Sequence, residues 1–474
     1  MRSFLLGLRP SIRTAQLTYV ALAMGLVGGL GACRQPDPPV QSHLSGRVVV
    51  DSERSETDDH SGFRLLVAHV DGRRLDTLGH ARTDRDGRFR MSISAPERGL
   101  YPLSLWDRTG REQLAGIDYV VAAGDSGTLD VSLPVDSRTP LRPESPENEA
   151  LQGYRHAMTM HRRMLTRRLQ PEAYRPTALI QNIRLTSSTL WSLSTKYPGT
   201  YAGQFAAVES LSLLEGWNDS LVVARGRVIE PTSPRFVDAA RIARRAEARR
   251  HGHRAALALI DSFEVRATGT RHEAGVEAVR IQAFLDSSQV DAALSAAQRL
   301  RADHSRSPWA EWARRVQFEA AHLQPGMAAP NLSVRTLSGD TLSLHGLRGH
   351  PVVLEYFRPG IDLYTLQRPL RNALYETTRA DSVAFVSISV EPDSLVNRAF
   401  LQHRDLPGHT AIAPKGLRDS LATRYNVVHL PTWILIDEAG TLVDRYHASD
   451  FPTLRQHLTV LLRDRRNAFP LPTR

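Results

Sequence analysis

The stretch Tyr425-Asn426-Val427-Val428-His429-Leu430-Pro431-Thr432-Trp433-Ile434-Leu435-Ile436-Asp437-Glu438-Ala439-Gly440 holds a helix end, a proline, an unbroken apolar run and a turn. Five consecutive apolar or β-branched residues, 432–436, read as a strand buried on both faces. Glu438-Ala439-Gly440 then turns the chain into a hairpin partner over 441–446. Working outward, Val352-Val353-Leu354-Glu355-Tyr356-Phe357 and Val383-Ala384-Phe385-Val386-Ser387-Ile388-Ser389-Val390 are two further buried-type strands. Helical patterns fill 362–379, 395–403, 417–425 and 452–463. Strands and helices in alternation predict an α/β sheet with helices on its faces.

Four segments of this region carry a resemblance. Gly326-Met327-Ala328-Ala329-Pro330-Asn331-Leu332 looks like an entry motif. Gly339-Asp340-Thr341-Leu342-Ser343-Leu344, followed by Leu347-Arg348-Gly349-His350-Pro351-Val352-Val353-Leu354, looks like a hairpin and first central strand. Tyr425 to Thr432 looks like the segment holding a cis-proline, and Ile436 to Gly440 like the closing hairpin. In this order they make residues 325–465 similar to the thioredoxin-like superfamily, nearest its periplasmic thiol–disulfide reductase and redoxin branch.

The resemblance implies a Cys-x-x-Cys pair just after the first central strand, where a helix N-terminus stabilises a thiolate. Aligned on residues 352–357, the two cysteine positions hold Ile361 and Tyr364; a peroxiredoxin-style alignment through Phe357-Arg358-Pro359 instead puts Leu366 at the reactive position. Neither alignment supplies sulfur, and thiol–disulfide exchange needs an attacking thiolate. The expectation is therefore a scaffold without its redox chemistry and without a cofactor. In the family, the backbone of the residue before the cis-proline pairs with an extended peptide. That residue is Leu430, so Ile361, Tyr364, Leu430 and Pro431 form the candidate peptide groove. The competing reading is that Pro431 serves only to fold the sheet.

The one cysteine of the 474 residues is Cys33. It follows Arg2, Arg9 and Arg13, then the apolar run 17–30, and closes Leu30-Gly31-Ala32-Cys33. A positive start, an apolar core and small residues at the break are the anatomy of a secretory signal. With a cysteine directly after, the segment resembles the bacterial lipoprotein signal, in which that thiol is lipidated. At 14 residues the apolar run is short of the roughly 20 that span a bilayer. The implied organisation is a signal peptide at 1–32 and a lipidated tether at 33–43, with the membrane as partner through Cys33. Arg34, rather than Asp, favours outer-membrane sorting. If Cys33 carries lipid, the mature chain has no thiol left.

Residues 44–134 carry short β-like runs, among them 46–50, 63–68, 83–91, 101–106 and 129–133, which predict a β-sandwich. The piece Thr83-Asp84-Arg85-Asp86-Gly87-Arg88-Phe89 resembles the hairpin signature of prealbumin-like domains in exported bacterial proteins. Asp84 and Asp86 read as turn residues; a calcium loop is the alternative. A Pro-rich linker, 135–147, leads to a helical domain, 148–324. Its segments 234–266, 271–304 and 308–322 resemble tetratricopeptide-type hairpins, with a plain bundle as the competing reading. Residues 466–474 form a tail.

The formal charge of +10 falls to about +7 without residues 1–32. The basic cluster Arg241, Arg244, Arg245, Arg249 and Arg250 reads as a solvated helix face, and no basic stripe with interleaved aromatics suggests nucleic acid. His156 with His161, and His251 with His253, read as surface histidines rather than metal ligands. Phosphate-loop, zinc-protease and nucleophile-elbow motifs are absent. Three functions remain open. One is a lipid-anchored envelope protein whose inactive thioredoxin-like domain binds or scaffolds an extended peptide or envelope protein. The second is a periplasmic thiol–disulfide oxidoreductase. The third is a surface lipoprotein that handles glycans or nutrients.

Overall fold

The computed structural model describes residues 39–468 except 56–57, 72–73, 136–140, 169–174, 362–363, 365–366, 403–405 and 448–449. Cys33 and the signal and tether residues before 39 lie outside these, as do Leu366 and residues 469–474 of the tail. The chain divides into two compact units, the first ending at Ala283 and the second beginning at Phe284.

The first unit opens with seven strands: β1 Val40–Val50, β2 Arg64–Asp71, β3 Arg74–Arg82, β4 Arg88–Ala95, β5 Gly99–Trp106, β6 Gln113–Val121 and β7 Ser126–Leu133. They form two sheets, ordered β4-β1-β7 and β3-β2-β5-β6. Strict alternation makes the sandwich. In β4 the buried residues Phe89, Met91, Ile93 and Ala95 face inward while every second residue is exposed. They share one core with Leu65, Val67, Leu103 and Leu105 of the other sheet. Sequence reading missed β3 and β6, whose polar residues obscure the alternation. Asp84 caps its turn: its Oδ1 accepts from the backbone N–H of Asp86 at 2.9 Å and of Arg88 at 2.8 Å. Gly87 sits at φ +75°, and a Cβ there would stand 2.1 Å from the carbonyl oxygen of Val48.

Helices α1 Pro146–Arg168, α2 Pro176–Lys196, α3 Tyr201–Leu214, α4 Asp219–Gly226, α5 Phe236–Ala267 and α6 Glu273–Asp286 follow. The start of α1 is tied to the sandwich through Asn148, whose side chain accepts from Val120 N–H at 2.9 Å and donates to Val120 C=O at 3.3 Å. α5 breaks at Gly252, φ +80°. The arginine cluster on α5 differs from the solvated face expected. Arg244 is 2% exposed. Arg245 grips Glu215 with two bonds of 2.6 and 2.7 Å, and Arg249 grips Asp219 at 2.7 and 2.8 Å. His161 is likewise no surface histidine: it is buried, with Nδ1 3.1 Å from Thr186 Oγ1.

The second unit contains α7 Val290–Asp303 and α8 Pro308–His322, then a hairpin, β8 Ser333–Arg335 with β9 Thr341–Ser343. A five-stranded sheet follows, of β10 Val352–Phe357, β11 Ala384–Ser389, β12 His409–Ile412, β13 Thr432–Ile436 and β14 Leu442–His447, ordered β12-β11-β10-β13-β14. β10 runs parallel to β11 and antiparallel to β13. Helices α9 Arg368–Thr378, α10 Ser394–Leu401, α11 Ser420–Thr423 and α12 Phe451–Ala468 complete it. Leu354, Tyr356, Ile388, Ile434 and Ile436 fill the core on one face. On the other, Val353, Phe385, Trp433 and Leu435 meet Leu374 of α9 and Leu454 and Leu458 of α12. Two covered faces explain why these strands read as continuous apolar runs. The division at 283/284 lies ahead of the helical boundary placed at 324 because α8 packs on the sheet: Leu323 joins its core, and Glu319 pairs with Arg445 of β14.

Candidate functional site

The peptide bond between Leu430 and Pro431 is cis, as the motif implied. It forms the turn at the head of β13. Thr432 Oγ1 donates to His429 C=O at 2.7 Å and thereby braces the turn from inside. Pro431 is buried, while the Leu430 side chain is half-buried against the sheet core. Among the described residues, none hydrogen-bonds the Leu430 backbone N–H or C=O.

Tyr364 departs from the groove expected. It is 1% exposed, and its ring stacks on Phe357 at 4.5 Å between centroids and 9° between planes. Phe400 closes the cluster, with Ile361 half-buried at its rim. The reason is apolar area: a ring of this size gains more by burial than by lining a loop, and its hydroxyl finds a partner inside. Tyr356 pairs with Thr432 in the β10–β13 register. Ile361, like Leu430, is half-buried.

Beneath that cluster lies a buried ion pair that sequence reading passed over. Glu355 of β10 and Arg371 of α9 are both 3% exposed and 3.1 Å apart. The carboxylate also accepts from Trp433 Nε1 at 3.0 Å, Ser387 Oγ at 2.8 Å and Tyr364 OH at 3.4 Å. The Arg371 guanidinium lies 4.3 Å from the Tyr364 ring centroid, a cation–π contact. A buried charge is tolerated when paired and hydrogen-bonded; the Glu355 carboxylate is both, whereas Arg371 Nε and Nη2 find no hydrogen-bond partner among the described residues. Burial first, then the Glu355 carboxylate, push the Tyr364 hydroxyl pKa far above its usual range. The signal was legible: a single Glu inside a six-residue apolar strand.

Two histidines flank the cis bond. His429 and His447 meet edge to face at 5.6 Å, and His447 Nδ1 is 3.2 Å from Thr432 Oγ1. Since that hydroxyl donates to His429 C=O, His447 Nδ1–H is the donor and its Nε2 is an acceptor. Both pKa values are lowered. Desolvation leads in each, followed by Arg315 for His429 and by His429 and Arg445 for His447. Among the described residues, no group of three or more His, Cys, Asp or Glu is placed to hold a metal ion. None of their helices is long and apolar enough to cross a membrane.

An α/β sheet turned through a cis-proline, with a buried tyrosine after its first central strand, defines a thioredoxin-type scaffold. No family model matches the chain. Thioredoxin-like protein YneN of Bacillus subtilis is 31% identical over 125 residues, 26% of this chain and 71% of that one. The chain belongs to the thioredoxin-like family. Among solved structures it is similar to a putative thiol:disulfide interchange protein DsbE from Chlorobium tepidum, at 22% identity over 30% of this chain and 99% of that one, TM-score 0.28. It is also similar to a putative protein disulfide isomerase from Bacteroides thetaiotaomicron, at 17% identity over 30% and 91%, TM-score 0.27.

Proposed function

We propose that this is a lipid-anchored envelope protein whose thioredoxin-like domain holds an extended peptide by strand addition and transfers no electrons. The observation that carries the reading is the cis Leu430–Pro431 turn, with the Leu430 backbone unengaged by described residues, in a chain whose aligned cysteine position holds the buried ring of Tyr364. An exposed backbone N–H and C=O pair at a sheet margin is what an added strand needs. Ile361, half-buried, would supply an apolar contact. Lipid on Cys33 would keep the protein at a membrane, with the outer membrane favoured by Arg34. The sandwich is read as prealbumin-like.

The test is fluorescence anisotropy of the full chain with a panel of labelled ten-residue extended peptides. Saturable binding to part of the panel, weakened about tenfold or more by Ile361→Glu, supports the reading. No saturable binding, or binding indifferent to Ile361→Glu, contradicts it.

Family membership favours a second reading, a thiol–disulfide oxidoreductase. It would require Cys33 to remain a free thiol or a partner to bring the thiols. Insulin-disulfide reduction that exceeds that of the Cys33→Ser chain would establish it.

A further inference from the structure

One row of side chains crosses the outer face of the four-stranded sheet. The register sets Arg82 of β3 opposite Arg64 of β2, Arg64 opposite Trp106 of β5, and Trp106 opposite Gln113 of β6. Their chain neighbours Ala81, Leu65 and Leu105 belong to the sandwich core, so alternation turns the row outward. Gln113 agrees: a Cβ at Gly116, between the core-packed Ala115 and Ile117, would stand 2.6 Å from its Nε2. Helix α1 covers the other end of this face, where Ala150 and Leu151 pack with Leu100 and Val120. At the row, Arg82 and Gln113 are exposed, and Arg64 and Trp106 half-buried. Two features there are unsatisfied. Like charges directly opposite in a sheet repel, and Arg64 faces Arg82. Neither has an ion-pair partner among the described residues: Asp59 pairs with Arg108, Asp118 with Arg155, and Glu112, beside Gln113, with neither arginine of the row. In addition, Arg64 Nε is buried without a hydrogen-bond partner. Trp106, by contrast, is held in place, its Nε1 donating to Ser104 Oγ at 2.8 Å.

We infer that this row binds an acidic glycan, a chain of pyranose rings that bear carboxylates. A guanidinium takes a carboxylate through two parallel N–H bonds, and an anion between Arg64 and Arg82 relieves their repulsion. The pinned indole offers a flat apolar platform for the C–H face of a sugar ring. The Gln113 amide both donates and accepts, as ring hydroxyls require. Across four strands the row spans about 14 Å, which suits a short run of rings. A nucleic-acid strand would want several stacking aromatics, and the row has one. An acidic peptide would meet the charges but lay no ring on Trp106.

The test is titration calorimetry of the full chain with oligogalacturonate. A neutral malto-oligosaccharide of equal length and an oligoglutamate of equal charge serve as controls. The expected result is saturable binding of oligogalacturonate, weakened by salt, with neither control bound. Trp106→Ala should weaken it about tenfold or more. Arg82→Gln should weaken it about tenfold, while Arg254→Gln leaves it unchanged. Arg82→Gln should also raise the thermal midpoint of the ligand-free chain, because Arg64 then faces no cation. A gain in stability with a loss of binding cannot come from misfolding. No saturable binding, equal binding of the neutral sugar, or full binding by both Trp106→Ala and Arg82→Gln would overturn the inference. So would a lower midpoint in Arg82→Gln, or binding of oligoglutamate or a single-stranded oligonucleotide as tight as that of the glycan. Failure here leaves the peptide reading standing, because that is tested at Ile361.

Discussion

Glu355 and Arg371 are the residues on which the C-terminal sheet depends most sharply. Each is nearly free of water, and each is the other's only ionic partner among the described residues. Arg371→Met would leave the carboxylate buried with neutral donors alone and should cost about 3–5 kcal/mol in urea unfolding. The double change Glu355→Leu/Arg371→Met should recover most of that loss. A silent single change would contradict this dependence on the buried pair. Tyr364→Ala should cost about 3–5 kcal/mol by leaving a cavity under Phe357. The sequence showed Glu355 as a charge in an apolar run, but its partner lies 16 residues away on α9. Tyr364 was misplaced because alignment fixes a position along the chain and not the direction of a side chain.

The histidines add a pH dependence with a definite sign. Burial lowers the pKa of His161 and leads the lowering at His447. The unfolded chain, with histidine near 6.5, then binds protons that the folded chain refuses. Stability is complete above about pH 6.5 and falls as pH drops through and below that value. His161→Gln should flatten this acid loss in thermal unfolding between pH 7.5 and 5; an unchanged slope would exclude His161 as a source.

At the scale of elements, turns and caps decide where the strands and helices stop. Gly87 takes a left-handed conformation in close contact with Val48, so Gly87→Ala should destabilise the sandwich by at least about 1–2 kcal/mol. Asp393 caps α10 by accepting from Leu395 N–H at 2.8 Å and Val396 N–H at 3.4 Å; Asp393→Ala should cost about 1 kcal/mol. Both are read by chemical denaturation. The buried strands β10, β11 and β13 were legible because both faces are covered. β3, β6 and β12 were not. Gln113-Leu114-Ala115-Gly116-Ile117-Asp118 in β6 and the four residues of β12 have too little alternation to rise above a loop. The helix pair expected over 271–304 is α6 and α7. Ser288 at φ +58° ends the first, and no proline or glycine marks the break.

At the scale of the whole molecule, the chain keeps a thioredoxin-like sheet and its cis-proline turn, yet its one cysteine lies far upstream at residue 33. Family resemblance made the turn legible, because Leu430-Pro431-Thr432 sits just before an unmistakable strand. The use of the turn had to be argued from what surrounds it. The Leu430 side chain packs in part on the sheet core, Tyr364 is sealed, and the Leu430 backbone has no hydrogen-bond partner among the described residues. The most direct measurement is amide hydrogen exchange at Leu430 in the full chain, with and without a peptide taken from the anisotropy panel. The account predicts that exchange at Leu430 slows on peptide addition while the amides of β10 and β11 hold their rates. A peptide that binds with Leu430 exchange unchanged would contradict it.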